Sequence, residues 1–396
     1  MEIRAAAGLV DGALIGPIRV GVGAGRITGV VVGAEADAGG PPDVDLGEAT
    51  LTPGLLDLQI NGCFGTDFAG AQPEDWSPIL SRLASHGVTG IEPTIITAPL
   101  ENLPAAFAGV DAAEQAHRDQ PVCRILGVHL EGPFISPRRS GMHRTDWMID
   151  PTPEALDALL EPEATRRILT TVTLAPEREH ALAAISRLTG AGYIVAVGHS
   201  DATADVVRAA GDAGARMTTH IFNAQRPLTH RDPGVPGGVL SDDRFFIGTI
   251  IDGLHVDPRV VGIVAESAPG RMVGVTDAIA TAGLPPHTPL HFGGYTVAND
   301  ENGLGRREDG TISGAGILLD EGVRRMVAAG MDAAVILAAC TEVPARSLGR
   351  TDIGHLVVGS HADLVAWDAD LQPRRVWVGG QEIAAGNASS GTVVTG

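Results

Sequence analysis

Eight short apolar runs punctuate the middle of this chain, and consecutive runs are spaced widely enough to hold a helix between them. They are Leu55–Ile60, Gly90–Ile96, Ile125–Leu130, Ile168–Leu174, Ile194–Val197, Met217–Ile221, Phe246–Ile251 and Met272–Val275. Amphipathic stretches such as Trp76–His86, Arg178–Gly190, Thr203–Gly214 and Asp257–Ser267 lie between them. A strand–helix unit repeated eight times predicts an α/β fold of the (β/α)8 barrel type. The runs hardly alternate with polar residues, as expected of parallel strands covered on both faces.

The two ends of the chain read differently from the middle. Ile18–Val22 and Ile27–Val32 are strand-like and flank Gly23-Ala24-Gly25, which reads as a hairpin turn because no helix pattern follows it. Short strands return at Asp363–Trp367 and Val376–Val378. The economical arrangement is a small β-sandwich domain built from residues 1–52 and 354–396, with a barrel of residues 53–353 inserted between its halves. Within that barrel, Leu284–Arg307 reads as an inserted loop or hairpin, and helices are expected over Leu318–Gly330 and Asp332–Leu348. Residues 386–396 read as a frayed end, and the sequon Asn387-Ala388-Ser389 within them as chance.

Composition excludes several chemistries. Acidic residues outnumber basic ones 48 to 28, giving a net charge of -20. That field repels polyanions, so neither nucleic acid nor an anionic membrane is an expected partner. The sequence contains no lysine, which removes Schiff-base, P-loop and carbamylated-lysine chemistry. The three cysteines, Cys63, Cys123 and Cys340, are scattered and odd in number, which points to the cytoplasm rather than to a disulfide framework. No stretch of about 18 apolar residues suggests a membrane span.

Barrel enzymes carry their chemistry where the strands end. Seven of the eight runs here stop at a His, Glu, Asp or amide; the second is the exception. Glu131, His199 and His220 follow the third, fifth and sixth runs, and they offer one oxygen and two nitrogens. That set suits one catalytic Zn²⁺, and Fe²⁺ or another divalent ion fits the same donors. Asp277 follows the eighth run, where it is placed to take a proton from an attacking water. Gln59 and Asn61, on one face of the first strand, are neutral amides and poor ligands, so one metal ion per chain is expected rather than two.

The ordered segments Pro53–Gly62, His129-Leu130-Glu131-Gly132-Pro133, Gly198-His199-Ser200, Thr219–Ala224, His230–Gly234, Asp252–His255, Val275–Ala278 and Gly310–Gly314 carry a resemblance. Together they resemble the amidohydrolase superfamily, and within it the N-acetylglucosamine-6-phosphate deacetylase family. The resemblance implies hydrolysis of an amino-sugar phosphate to the free amine and acetate. It carries Glu131, His199 and His220 over as metal ligands and Asp277 as general base and acid. In Gly141-Met142-His143 it implies a substrate-contacting pair, with His143 polarising the amide carbonyl. It also implies sugar contacts from Asn223, Ala224, Asp252, Gly253, Leu254, His255, Ile312, Ser313 and Gly314. Arg231 resembles a phosphate-binding arginine that reaches the partner's site in a homodimer. An arginine fork suits that task.

The sequence departs from the family pattern at Gln225, where Met is common, and at Ala315-Gly316-Ile317, where hydroxyl residues are usual. Both changes are expected to bear on the sugar pocket. Alternative readings are a deacetylase of the galactosamine epimer, an N-acyl-amino-acid deacylase, and an inactive barrel serving as a sensor. His129 faces inward one alternate position before Glu131 and reads as a core residue.

Overall fold

The computed structural model describes residues 1–383; the expected frayed end and its sequon lie outside them. Eight parallel strands form the barrel: β1 (Leu55–Ile60), β2 (Val88–Ile96), β3 (Val128–Glu131), β4 (Leu169–Leu174), β5 (Ile194–Val197), β6 (Met217–Thr218), β7 (Phe246–Ile250) and β8 (Met272–Val275). Each pairs in parallel with the next. The seam between β8 and β1 closes just beyond the strand ends. There Asp277 N–H donates to the Gln59 carbonyl at 2.8 Å, and Asn61 N–H donates to the Ala278 carbonyl at 2.7 Å. The bonds that close the barrel therefore run through the predicted base and the two amides of the first strand.

The helix at Pro73–Ser85 shows how local sequence sets the outer layer. Proline opens it where its missing N–H costs nothing, and Gln72 N–H donates to Asp75 at 2.8 Å in a reciprocal cap. Trp76, Ile79, Leu80, Leu83 and Ala84 recur at helical spacing and are buried against the barrel. Full burial of each large side chain is worth about 1.5–3 kcal/mol. Gly87, at φ 78°, turns the chain from this helix into β2.

Both termini build the β-sandwich. One sheet of four strands comes from residues 2–45 alone, and a second of six runs from Gln381–Ile383 through Leu364–Trp367 to Thr50–Pro53 and Ala13–Ile15. Ile3, Ile18, Val20, Ile27, Leu51, Leu364 and Trp377 form the apolar layer between them. No helix among the described residues is long and apolar enough to cross a membrane.

Two expectations need correction. The insertion after β8 is a four-stranded antiparallel meander, Leu290–Phe292, Tyr295–Asn299, Leu304–Arg307 and Ile312–Ala315. It is tied to the barrel rim where Ala315 N–H donates to the Asp277 carbonyl at 3.0 Å. The helix expected over Asp332–Leu348 is two, Ala333–Ala339 and Glu342–Ser347. Pro344 explains the break, because its ring would clash with the Cys340 carbonyl in a continuous helix. That freed carbonyl instead accepts Leu56 N–H at 2.8 Å.

Buried polar groups also sit among the barrel strands. His129 bridges the Leu58 carbonyl and Thr173 Oγ1 at 3.2 and 2.6 Å, which makes it a core brace. Glu92, fully buried, accepts Thr171 Oγ1 at 3.1 Å, and burial pushes its carboxyl up to about 8. A carboxyl raised in the fold contributes most stability below its unfolded value near 4.5, and that contribution is lost as pH climbs toward 8. Glu92→Gln is therefore expected to gain stability over wild type progressively from about pH 5 to 8, by about 1.4 kcal/mol per pH unit. Urea unfolding across that range tests this; a difference curve flat with pH would rule it out.

Candidate active site at the carboxyl rim of the barrel

Three of the expected site residues reach the rim by the same device. His199, His220 and Asp277 each stand two residues past the end of a strand, with φ of 44°, 26° and 52°. A left-handed residue there breaks the strand and turns its side chain over the barrel mouth. Such backbone costs on the order of 1–3 kcal/mol per residue and persists where surrounding structure holds it. Glu131 ends β3 directly.

The donor atoms of Glu131, His199 and His220 all lie within 4.8 Å of one another, and all three residues are buried. His199 Nε2 and His220 Nε2 stand 2.8 and 2.9 Å from Glu131 Oε1, and 3.2 Å from each other. The His199 Nδ1–H donates to the Arg139 carbonyl at 2.9 Å. In a neutral ring that leaves the Nε2 lone pair facing a carboxylate oxygen, acceptor against acceptor. A shared divalent cation relieves that contact, so the donor set fits a metal on the structure's own terms. Burial alone would raise Glu131, but the neighbouring His199 and His220 hold it well below the usual carboxylate range. Burial likewise opposes a charged His220, yet the Glu131 carboxylate outweighs it and keeps that imidazole above its ordinary value.

Asp277 is gripped by the amides of the first strand. Asn61 Nδ2 donates to Asp277 Oδ1 at 2.9 Å, and Gln59 Nε2 reaches both that oxygen and Glu131 Oε2 at 3.3 Å. Sequence reasoning set these amides aside as poor ligands; in the structure both hold the Asp277 carboxylate. Burial, then the negative charge of Glu131, pushes Asp277 upward and makes it a better proton acceptor.

A cavity of about 420 Å3 opens over these groups. It is lined by Glu131, His199, His220 and Asp277 together with Met142, His143, Asn223, Ala224, His255 and Ile312-Ser313-Gly314. Asp252 stands behind the wall and aims His255, accepting its Nδ1–H at 2.6 Å. Gly253 and Leu254 lie outside the lining, and Leu254 is exposed. Arg231 is exposed and does not line this chain's cavity. Arg138 and Arg139 do line it, and sequence reasoning missed both. The Arg139 guanidinium is held by Asp201 at 2.7 Å, while Arg138 remains 83% exposed. The Arg139 contribution to His199 comes from a main-chain carbonyl, which no side-chain pattern announces.

The two departures fall outside the lining. The buried Gln225 turns its amide onto backbone, donating to the Thr219 carbonyl at 2.9 Å and accepting Phe222 N–H at 3.0 Å. It braces the loop that carries His220. Ala315 and Gly316 belong to the strand tied to the rim and the residue after it, not to the cavity surface.

Comparison with known proteins gives one consistent result. Residues 50–396 match the profile of the Amidohydrolase family. The N-acetylglucosamine-6-phosphate deacetylase of Vibrio furnissii is 34% identical over 342 residues, covering 85% of this chain and 84% of that protein. The N-acetylgalactosamine-6-phosphate deacetylase of Escherichia coli O157:H7 is 34% identical over 337 residues, covering 84% and 87%. Among solved structures, a mutant N-acetyl-D-glucosamine-6-phosphate deacetylase of Mycobacterium smegmatis in complex with N-acetyl-D-glucosamine-6-phosphate superposes with a TM-score of 0.89. It is 32% identical, over 97% of this chain and 99% of that one.

Proposed function

Because the chain belongs to the amidohydrolase family, we propose that it hydrolyses N-acetyl-D-glucosamine 6-phosphate to D-glucosamine 6-phosphate and acetate. The observation that carries this reading is the buried Glu131, His199 and His220 triad with Asp277 pinned beside it in one cavity. The names of the relatives support the substrate class.

Each residue then has a task. Glu131, His199 and His220 would hold a divalent ion, with Zn²⁺ our choice and Fe²⁺ the alternative, which would supply positive charge to polarise the acetyl carbonyl and acidify water. Asp277, raised by burial, accepts the proton of the water whose oxygen bonds to the acetyl carbon. Asn61 and Gln59 hold its carboxylate in register. His143, on the cavity wall, donates to the carbonyl oxygen as charge develops there. Asp277 returns its proton to the sugar nitrogen as the C–N bond breaks. Asn223, Ala224, His255 and the Ile312–Gly314 segment form the sugar wall, with Asp252, Gly253 and Leu254 shaping the loop that presents His255. Met142 packs against Phe292 and Ile279 and fixes the adjoining backbone.

Arg231 is assigned to the phosphate of the partner's substrate in a homodimer. Its exposure outside its own cavity supports this, as does the 50% exposed Leu228 on the same loop. The same reading places the chain in the cytoplasm, supported by three buried free thiols. It keeps residues 1–52 and 354–396 as the β unit and 53–353 as the catalytic barrel.

The test is acetate release from the glucosamine and galactosamine epimers, each with and without the 6-phosphate. Turnover of phosphorylated sugars alone, faster for the glucosamine epimer, is expected; preference for the galactosamine epimer would move the assignment to that sugar. Arg231→Ala should raise KM for the phosphorylated sugar about 10–100-fold, the worth of a charge-assisted hydrogen bond of about 1.5–3 kcal/mol. An unchanged KM would remove Arg231 from the site.

A further inference from the structure

The second strand is the one whose end offers no titratable or amide group, yet its next residue reaches into the site. Thr97 follows β2 directly and is buried. Its Oγ1 lies 2.8 Å from His143 Nδ1 and 3.2 Å from the Glu131 carbonyl oxygen. Gly132 makes this approach possible, since a Cβ there would stand 2.1 Å from the same hydroxyl. The contact thus links the loop carrying His143, the end of β2 and the strand carrying Glu131.

The hydroxyl has one proton and two candidate acceptors. If the Glu131 carbonyl takes it, His143 Nδ1 must be the donor, and a neutral ring then turns a bare Nε2 toward the cavity. That Nε2 stands 3.9 Å from the Glu131 carboxylate, so two acceptors would face each other. If His143 Nδ1 takes it, along the shorter contact, Nε2 carries the hydrogen. It then faces the carboxylate favourably and is available to a developing negative oxygen.

We propose that Thr97 is a positioning residue for the reaction, its hydroxyl donating to His143 Nδ1 and holding the imidazole with Nε2–H toward the acetyl oxygen. This rests on the reading of His143 as the group that polarises the carbonyl. Thr97 would matter through another residue, without touching substrate.

Two variants separate this from a packing role. Thr97→Val keeps the shape and removes the donor, whereas Thr97→Ser keeps the donor and removes a methyl. Thr97→Val should lower kcat about 10–100-fold with KM within about 2-fold, part of the 10²–10³-fold that a lost oxyanion donor costs. Thr97→Ser should stay within about 3-fold of wild type. Full kcat in Thr97→Val, or equal losses in both variants, would overturn the proposal. A second readout needs no catalysis: in protein labelled with ¹⁵N-histidine and free of metal, the His143 ring, assigned with His143→Gln, should show its proton on Nε2. A proton on Nδ1 would overturn the proposal directly. If the wild-type enzyme turned over no phosphosugar, the substrate reading would fall, while the ring spectrum would still decide the role of Thr97.

Discussion

Asp277→Asn is expected to lower kcat by about 10²–10⁴-fold, the usual worth of a positioned general base and acid. The amide keeps the shape of the carboxylate and an oxygen for the Asn61 Nδ2 contact, so the barrel seam at Asp277 and Ala278 stays closed. KM should change little, because in the proposed reaction the group acts on water and the leaving nitrogen rather than on the resting sugar. The metal content of the variant should equal that of wild type, since the donors of Glu131, His199 and His220 are untouched. Retention of kcat within tenfold would move the proton chemistry to another group, of which His255 in the same wall is the nearest in kind.

Glu131→Gln is expected to abolish both metal retention and turnover. One oxygen of this carboxylate meets both imidazoles, at 2.8 and 2.9 Å, and its second oxygen meets Gln59. An uncharged amide weakens the hold on a dication, and its nitrogen is a poor ligand. The loss should exceed the roughly 10–100-fold typical of changes to groups that merely orient ligands. The variant should remain folded, because relieving a buried carboxylate does not open a cavity. Metal content after gel filtration and far-UV circular dichroism check both points. A variant with bound metal and wild-type turnover would take Glu131 out of the donor set.

Much of the architecture is legible in the sequence for a physical reason. Parallel strands covered on both faces are largely apolar, so Ile194–Val197 and Met272–Val275 stand out with the bounds they have in the fold. The strand ends are legible for the opposite reason. A His or Asp breaking an apolar run is costly unless it is paired, and His199 and Asp277 both meet polar partners at the rim. The sixth strand is shorter than its run, two residues instead of five, because His220 and Phe222 adopt left-handed backbone that hydrophobicity does not encode.

What escaped the sequence is what depends on a second segment. Gln59 and Asn61 look idle until β8 brings Asp277 beside them. Gln225 looks like a change in sugar pocket chemistry until its amide is seen to bond Thr219 and Phe222. The meander after β8 has little periodicity of its own, yet it supplies Ile312, Ser313 and Gly314 to the cavity. Thr97 is one threonine among many until Gly132 lets its hydroxyl approach.

Metal titration of the metal-stripped protein tests the central claim most directly. Zn²⁺ and, anaerobically, Fe²⁺ would be added in fractions of an equivalent while acetate release from N-acetyl-D-glucosamine 6-phosphate is followed. Activity should be near zero without metal, rise linearly, and level off at about one equivalent per chain, as the single triad of donors requires. Full activity in the stripped protein, or a plateau only at two equivalents, would contradict the account.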